Sequence, residues 1–185
     1  MEIVLLRHGM PQIAKEGRLT AAEFGKWVSA YNEAGIDAAS RPPQNAIVEA
    51  GKCAFVVCSS LPRSRESAKA LGLKAIGACD ALFREMDMPY ASWRFPQLSP
   101  GVWAVIFRLM WVGGYSANAE SFREARERAR RCAERLALLA AEHGKVLFVG
   151  HGSLNWFVSR YLKSMGWAGP PRAPRRYWEF GVYRY

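Results

Sequence analysis

The chain is poor in the residues that usually build metal sites and disulfide frameworks. Its 185 residues include four cysteines and three histidines. Cys53, Cys58, Cys79 and Cys132 make no Cys-x-x-Cys pair and no Cys/His metal spacing. They read as reduced core thiols of a cytoplasmic protein. Long hydrophobic runs are also lacking. The longest uncharged stretch, Phe95 to Phe107 and on past Arg108 to Ala119, is broken by prolines, glycines and that arginine, a poor membrane span. No basic leader precedes Ile3, so a signal peptide is not expected. Without a repeat, low-complexity block or linker, one domain over 1–185 is predicted. Acidic residues are scarce too, 16 against 26 Lys and Arg, a net charge of +10. That excess points to an anionic partner: a phosphorylated small molecule, a nucleic acid or an acidic surface.

Half of the residues are apolar and 23% are charged, a globular composition. Ile3-Val4-Leu5-Leu6 is a short apolar run with the character of a buried strand, followed at once by Arg7, His8 and Gly9. Thr20 and Glu23 form a capping box, Leu19 and Phe24 a hydrophobic staple, and Phe24, Trp27, Val28 and Tyr31 continue at helical spacing to Gly35. A short helix is expected over 46–50. Cys53 to Cys58 is a second apolar strand, and Pro62 suits the first turn of the helix that follows and ends at Gly72. A third, weaker strand is predicted over 73–79. Segment 86–119 is rich in Trp, Phe, Met, Pro and Gly, with a helix from Ser99-Pro100 to Gly113. It reads as a helical insertion, either packed on the core, walling a pocket, or forming a dimer surface. Ser121 and Glu124 open a long helix to about Glu142. Lys145 to Gly150 is the fourth strand, His151-Gly152 leads into a helix to Ser164, and Trp178 to Tyr185 alternates as a final edge strand. This order predicts an α/β fold, a three-layer α/β/α sandwich around a mostly parallel central sheet.

In such a sheet the carboxyl ends of the strands share one edge, where ligands bind. The first strand brings Arg7 and His8 there, the second brings Arg63 one turn into its helix, and the fourth brings His151. Guanidinium forks grip phosphate oxygens in pairs, and the helix starting near Pro62 adds its positive end. The chemistry that suits this set is phosphoryl transfer. A neutral imidazole exists at pH 7, its ordinary pKa being about 6.5, and can act as the nucleophile. A leaving alkoxide needs a proton, for which Glu85, just after the third strand, is the leading candidate.

Five segments resemble, in order, the motifs of the histidine phosphatase superfamily, which includes the cofactor-dependent phosphoglycerate mutases. They are Leu6-Arg7-His8-Gly9, Ser59-Ser60-Leu61-Pro62-Arg63-Ser64-Arg65-Glu66-Ser67-Ala68, Phe83-Arg84-Glu85, Glu120-Ser121 and Gly150-His151-Gly152. The resemblance implies a phosphoglycerate mutase-like fold, His8 as the phosphorylated nucleophile, and Arg7, Arg63 and His151 around the phosphate. It also implies Glu85 as the acid that later activates water, with no metal and no cofactor. The chain departs from the pattern in places. Met10-Pro11 replaces an acidic residue and a hydroxyl, Ala119 replaces a glycine, and Met86-Asp87-Met88-Pro89 lacks the usual glycine, so Asp87 is a second candidate donor.

The expected function is hydrolysis of a phosphomonoester or a phosphohistidine through a covalent intermediate on His8. The alternatives are a mutase of the phosphoglycerate type and a non-catalytic module that binds a phospholigand or nucleic acid. The expected partner is a phosphorylated small molecule. A phosphoprotein is a second choice, and nucleic acid is disfavoured because no recognition motif accompanies the arginine clusters at 126–131 and 172–176. Nothing in the sequence speaks to oligomeric state.

Overall fold

A computed structural model describes residues 1–14 and 16–185. Five strands, β1 (Glu2–Arg7), β2 (Phe55–Ser59), β3 (Ala78–Asp80), β4 (Lys145–Gly150) and β5 (Phe180–Arg184), make one sheet in the order β3-β2-β4-β1-β5. The first four run parallel, and β5 lies antiparallel against β1 at the edge. The crossovers are helical: α1 (Ala21–Glu33), α2 (Gln44–Gly51), α3 (Pro62–Ala70), α4 (Pro100–Val112), α5 (Phe122–His143) and α6 (Gly152–Ser164).

Alternation along the strands decides which helices lie on which face. Ile3, Leu5, Val57, Val146 and Phe148 point into one core shared with α5 and α6. Val4, Leu6, Val56, Cys58, Leu147 and Val149 point the other way, onto α2 and α3. Helix α5 supplies Ala125, Ala129, Cys132, Ala133, Leu136, Leu139 and Ala140, a buried stripe at helical period. Both predicted capping boxes are present, Thr20 with Glu23 and Ser121 with Glu124. Each pair satisfies two otherwise unpaired amides at its helix start.

One expectation needs correction. The strand predicted over 73–79 is only Ala78–Asp80, because Leu73 and Ile76 turn away from the ladder to pack against the core under α2 and α3. Within segment 86–119, α4 does more than cover the core. Trp103 and Phe107 pack against Phe24 and Val28 of α1, and Trp111 anchors the far end, its indole N–H donating to the Glu120 carbonyl at 2.7 Å. Another stripe of α4, Val102, Val105, Leu109 and Val112, faces outward.

Candidate active site

His8 follows β1 directly and is buried. Its amide donates to the Gly150 carbonyl at 3.0 Å, pinning it to the end of β4. Its Nδ1 lies 2.6 Å from the Gly9 carbonyl oxygen. A carbonyl can only accept, so we assign the ring proton to Nδ1, which leaves the Nε2 lone pair available. Gly9 is required at this turn: a Cβ there would sit 2.3 Å from Cζ2 of the buried Trp178. The Gly9 amide is held by Ser67 Oγ at 2.9 Å.

His151, fully buried at the end of β4, has its ring centroid 5.0 Å from that of His8. Its Nε2 lies 2.7 Å from Ser59 Oγ, at the end of β2. That hydroxyl oxygen also accepts from the Leu61 amide at 3.3 Å. A consistent assignment has the Ser59 hydroxyl donate to Nε2, which places the ring proton on Nδ1, a buried atom with no protein partner.

Arg63, in the first turn of α3, is wholly buried without a carboxylate partner. One terminal nitrogen donates to the Tyr31 carbonyl at 2.7 Å, and its guanidinium lies 4.4 Å from the Tyr31 ring centroid. Its Nε and Nη2 have no protein partner. Arg7 is arranged in the same way: the guanidinium is 4.4 Å from the Tyr177 ring centroid, one nitrogen donates to the Arg175 carbonyl, and its Nε is unpartnered. Burying a guanidinium without an ion-pair partner costs several kcal/mol in effective desolvation, so the buried Arg63, with the partly buried Arg7 and two buried imidazoles beside it, forms a site organised for an anion.

The electrostatics agree. Burial pushes the His8 imidazole down to about 3, and the charges of Arg63 and Arg7 push the same way against the Gly9 hydrogen bond. Burial likewise holds His151 well below its ordinary value, with His8, Arg63 and Arg7 adding to it. Both rings are therefore neutral in the folded protein at pH 7. Unfolded, each binds a proton near pH 6.5. Stability should accordingly fall as pH drops from about 6.5 toward 4, by up to about 1.4 kcal/mol per pH unit for each imidazole. Urea midpoints measured at pH 7, 5.5 and 4.5 check this; a flat profile would contradict the burial of neutral rings.

Glu85 comes to the same edge from the segment after β3. Its Oε1 accepts the amides of Leu154 at 2.9 Å and Met86 at 2.9 Å, and its Oε2 accepts the Ser153 amide at 3.2 Å. It therefore caps α6, the helix that begins beside His151. Asp87 is placed differently. Its Oδ2 accepts the Glu120 amide at 3.2 Å, while its own amide donates to Glu120 Oε1 at 3.3 Å, a clasp between two loops.

Sequence reasoning missed the residues that hold these groups in place. Arg128 of α5 pairs with Glu120 and donates to the carbonyls of Leu82 at 3.0 Å, Arg84 at 2.7 Å and Glu85 at 3.3 Å, fixing the backbone that carries the carboxylate. In the sequence it looks like one more charge on an Arg/Glu-rich solvated face. Tyr31 and Tyr177, the aromatic backing of the two arginines, lie 32 residues before Arg63 and 170 after Arg7.

Two cavities open on the site. A larger one of about 1040 Å³ is lined by Arg7, Arg108, Arg160, Lys163, Arg172 and Arg175, with Glu85 its one carboxylate among the described residues. A smaller one of about 640 Å³ lies between α1 and α4 and also includes Glu85, Arg108 and Ser153. Among the described residues no three His, Cys, Asp or Glu side chains are grouped to hold a metal ion, and no helix is long and apolar enough to cross a membrane.

No curated protein matches the chain. Its fold is shared by solved structures. These include the mycobacterial glucosyl-3-phosphoglycerate phosphatase in complex with VO3, at 19% identity, TM-score 0.61, over 99% of this chain and 94% of that one. The product of the Mycobacterium tuberculosis open reading frame Rv3214 is similar at 21% identity, TM-score 0.62, over 98% and 89%. So is the ecdysone phosphate phosphatase of Bombyx mori in complex with tungstate, at 16% identity, TM-score 0.58, over 98% and 88%. Residues 3–177 match the family model described as the histidine phosphatase superfamily, branch 1. With nearly the whole sequence inside that match, this chain belongs to the histidine phosphatase superfamily.

Proposed function

We propose that the protein is a phosphatase that hydrolyses a phosphomonoester of a small molecule through a phosphohistidine formed on His8, the whole chain acting as one domain around that site. The observation that carries this reading is the neutral, oriented imidazole of His8 set beside buried N–H donors of Arg7, Arg63 and His151 that have no partner among the described residues. Such donors match the charge that develops on the equatorial oxygens of a transferring phosphoryl group.

In this reading His8 Nε2 attacks phosphorus as the bond to the substrate oxygen breaks. The departing alkoxide takes a proton from Glu85, and the phosphoryl group is left on His8. Water then attacks phosphorus, giving its proton to the Glu85 carboxylate, and inorganic phosphate leaves as the N–P bond breaks. Microscopic reversibility gives one carboxyl group both roles. The cationic walls of the larger cavity attract the doubly charged substrate from a distance, which gives the net charge of +10 a use. The family and the phosphatases that share the fold support hydrolysis of small phosphorylated compounds; two of them are named for glucosyl-3-phosphoglycerate and ecdysone phosphate.

Rapid quench of the enzyme with a phosphomonoester, followed by mass spectrometry under alkaline conditions, should find an acid-labile phosphate on His8. Turnover should persist in a chelator. Phosphate release without such an adduct, or with the adduct elsewhere, would overturn the mechanism.

A further inference from the structure

The smaller cavity gives the reaction a leaving-group site. Its apolar walls are Trp27, Val28 and Tyr31 from α1, Met88 from the segment between β3 and α4, and Val105 and Leu109 from α4. Trp27 commits its indole N–H to the Ala14 carbonyl at 2.8 Å, so the rest of its ring contributes only apolar surface to the cavity. Its volume of about 640 Å³ falls within the range of small-molecule sites.

This cavity is joined to the phosphate site by shared side chains. The Tyr31 ring stacks on Trp27 at 5.2 Å between centroids, and the same ring backs the Arg63 guanidinium at 4.4 Å. Glu85, the proton donor of the proposed reaction, lines both cavities. Tyr177 lies in the smaller cavity and has its ring centroid 5.8 Å from that of His8. A phosphoryl group held by Arg7 and Arg63 thus has an aromatic and aliphatic slot on one side and a cationic groove on the other. Among the described residues, the charged side chains that reach the slot are Arg84, Glu85, Asp87 and Arg108. Three of the four belong to the segment that carries the donor, and Arg108 donates to the Asp87 and Met86 carbonyls at 3.0 and 3.3 Å. Asn32, Ser99 and Ser153 add an amide and two hydroxyls at the lining, but Trp27, Val28, Met88, Val105 and Leu109 return no hydrogen bonds to a sugar or glycerol leaving group that gives up its water against them, an unfavourable exchange.

We propose that the preferred substrates are phosphomonoesters of apolar alcohols, aromatic or long-chain alkyl, with the body of the alcohol between α1 and α4. This rests on the phosphatase reading above for its catalytic form, but the pocket can be tested without catalysis.

The n-alkyl phosphates from ethyl to octyl suit the test, since their alcohols ionise alike and the chemistry stays constant along the series. kcat/KM should rise about four-fold for each methylene that enters the slot, and glycerol phosphate should fall below propyl phosphate. In parallel, the n-alkylphosphonates, which cannot be hydrolysed, should bind with the same progression by calorimetry. Val105→Asp places a charge at the exposed rim of the wall; it should flatten the progression in both measurements. A chain-length dependence absent from phosphonate binding would overturn the slot. So would a progression that Val105→Asp leaves unaltered. Phosphonates that bind progressively while no phosphomonoester is hydrolysed would leave the slot standing and remove the phosphatase reading instead.

Discussion

Replacing His8 with alanine should reduce turnover by roughly 10⁴–10⁶-fold, the scale on which losing an activated nucleophile acts. The arginines and His151 would still bind the phosphate, so substrate affinity should change far less than kcat. The substitution removes a buried ring whose Nδ1 is tied to the Gly9 carbonyl, so stability must be measured alongside activity. Circular dichroism and a urea titration separate a dead but folded enzyme from an unfolded one. His8→Gln, which keeps more of the volume, should be equally inactive. A folded variant retaining a tenth of the activity would exclude His8 as the nucleophile.

The second large effect belongs to Glu85, the proposed proton donor, and it depends on the substrate. Glu85→Gln should lower kcat by roughly 10²–10⁴-fold for an alkyl phosphate, whose alkoxide must be protonated as it leaves. For p-nitrophenyl phosphate, whose leaving group is stable as an anion, the loss should be much smaller. Asp87→Asn should behave otherwise. Its carboxylate receives the Glu120 amide, so weakening that clasp should affect both substrates alike and by only a few-fold. The ratio of rates on the two substrates is therefore the diagnostic measurement. If Asp87→Asn rather than Glu85→Gln changes that ratio, the assignment reverses.

The parts of this molecule that were legible in the sequence are those written in local chemistry. The parallel strands β1, β2 and β4 are short apolar runs ending in charge, Ser or Gly, and both capping boxes are spelled out within four residues. The residues on the strand ends were readable because a parallel sheet puts those ends on one edge whatever the order of its strands. What could not be read depends on contacts between distant segments. The backing of Arg63 by Tyr31 and of Arg7 by Tyr177 follows from how α1 and the loop before β5 wrap the site. The extent of β3 depends on where Leu73 and Ile76 find a core, which no local pattern dictates. Helix α4 is apolar on several sides, so its periodicity does not say which stripe goes inward. Trp103, Phe107 and Trp111 do, and Val105 and Leu109 are left for the cavity.

The placing of β1 in the sheet also has a consequence for how the enzyme is made. β1 pairs in the sheet with β4 and β5, so the strand that leads into His8 is synthesised before either of its partner strands. At ribosomal rates of about 5–20 residues per second, roughly 7–30 s separate Arg7 from Lys145. Of the sheet's strand pairs, only β2 with β3 can form in that interval, because β2–β4 and β4–β1 wait for β4 and β1–β5 waits for β5. Throughout it the emerging chain carries an apolar strand with both edges unpaired, the kind of surface that chaperones shield. A nascent chain that stops before residue 145 would lack β4, the His8–Gly150 hydrogen bond and His151, and with them the framework of the site proposed above.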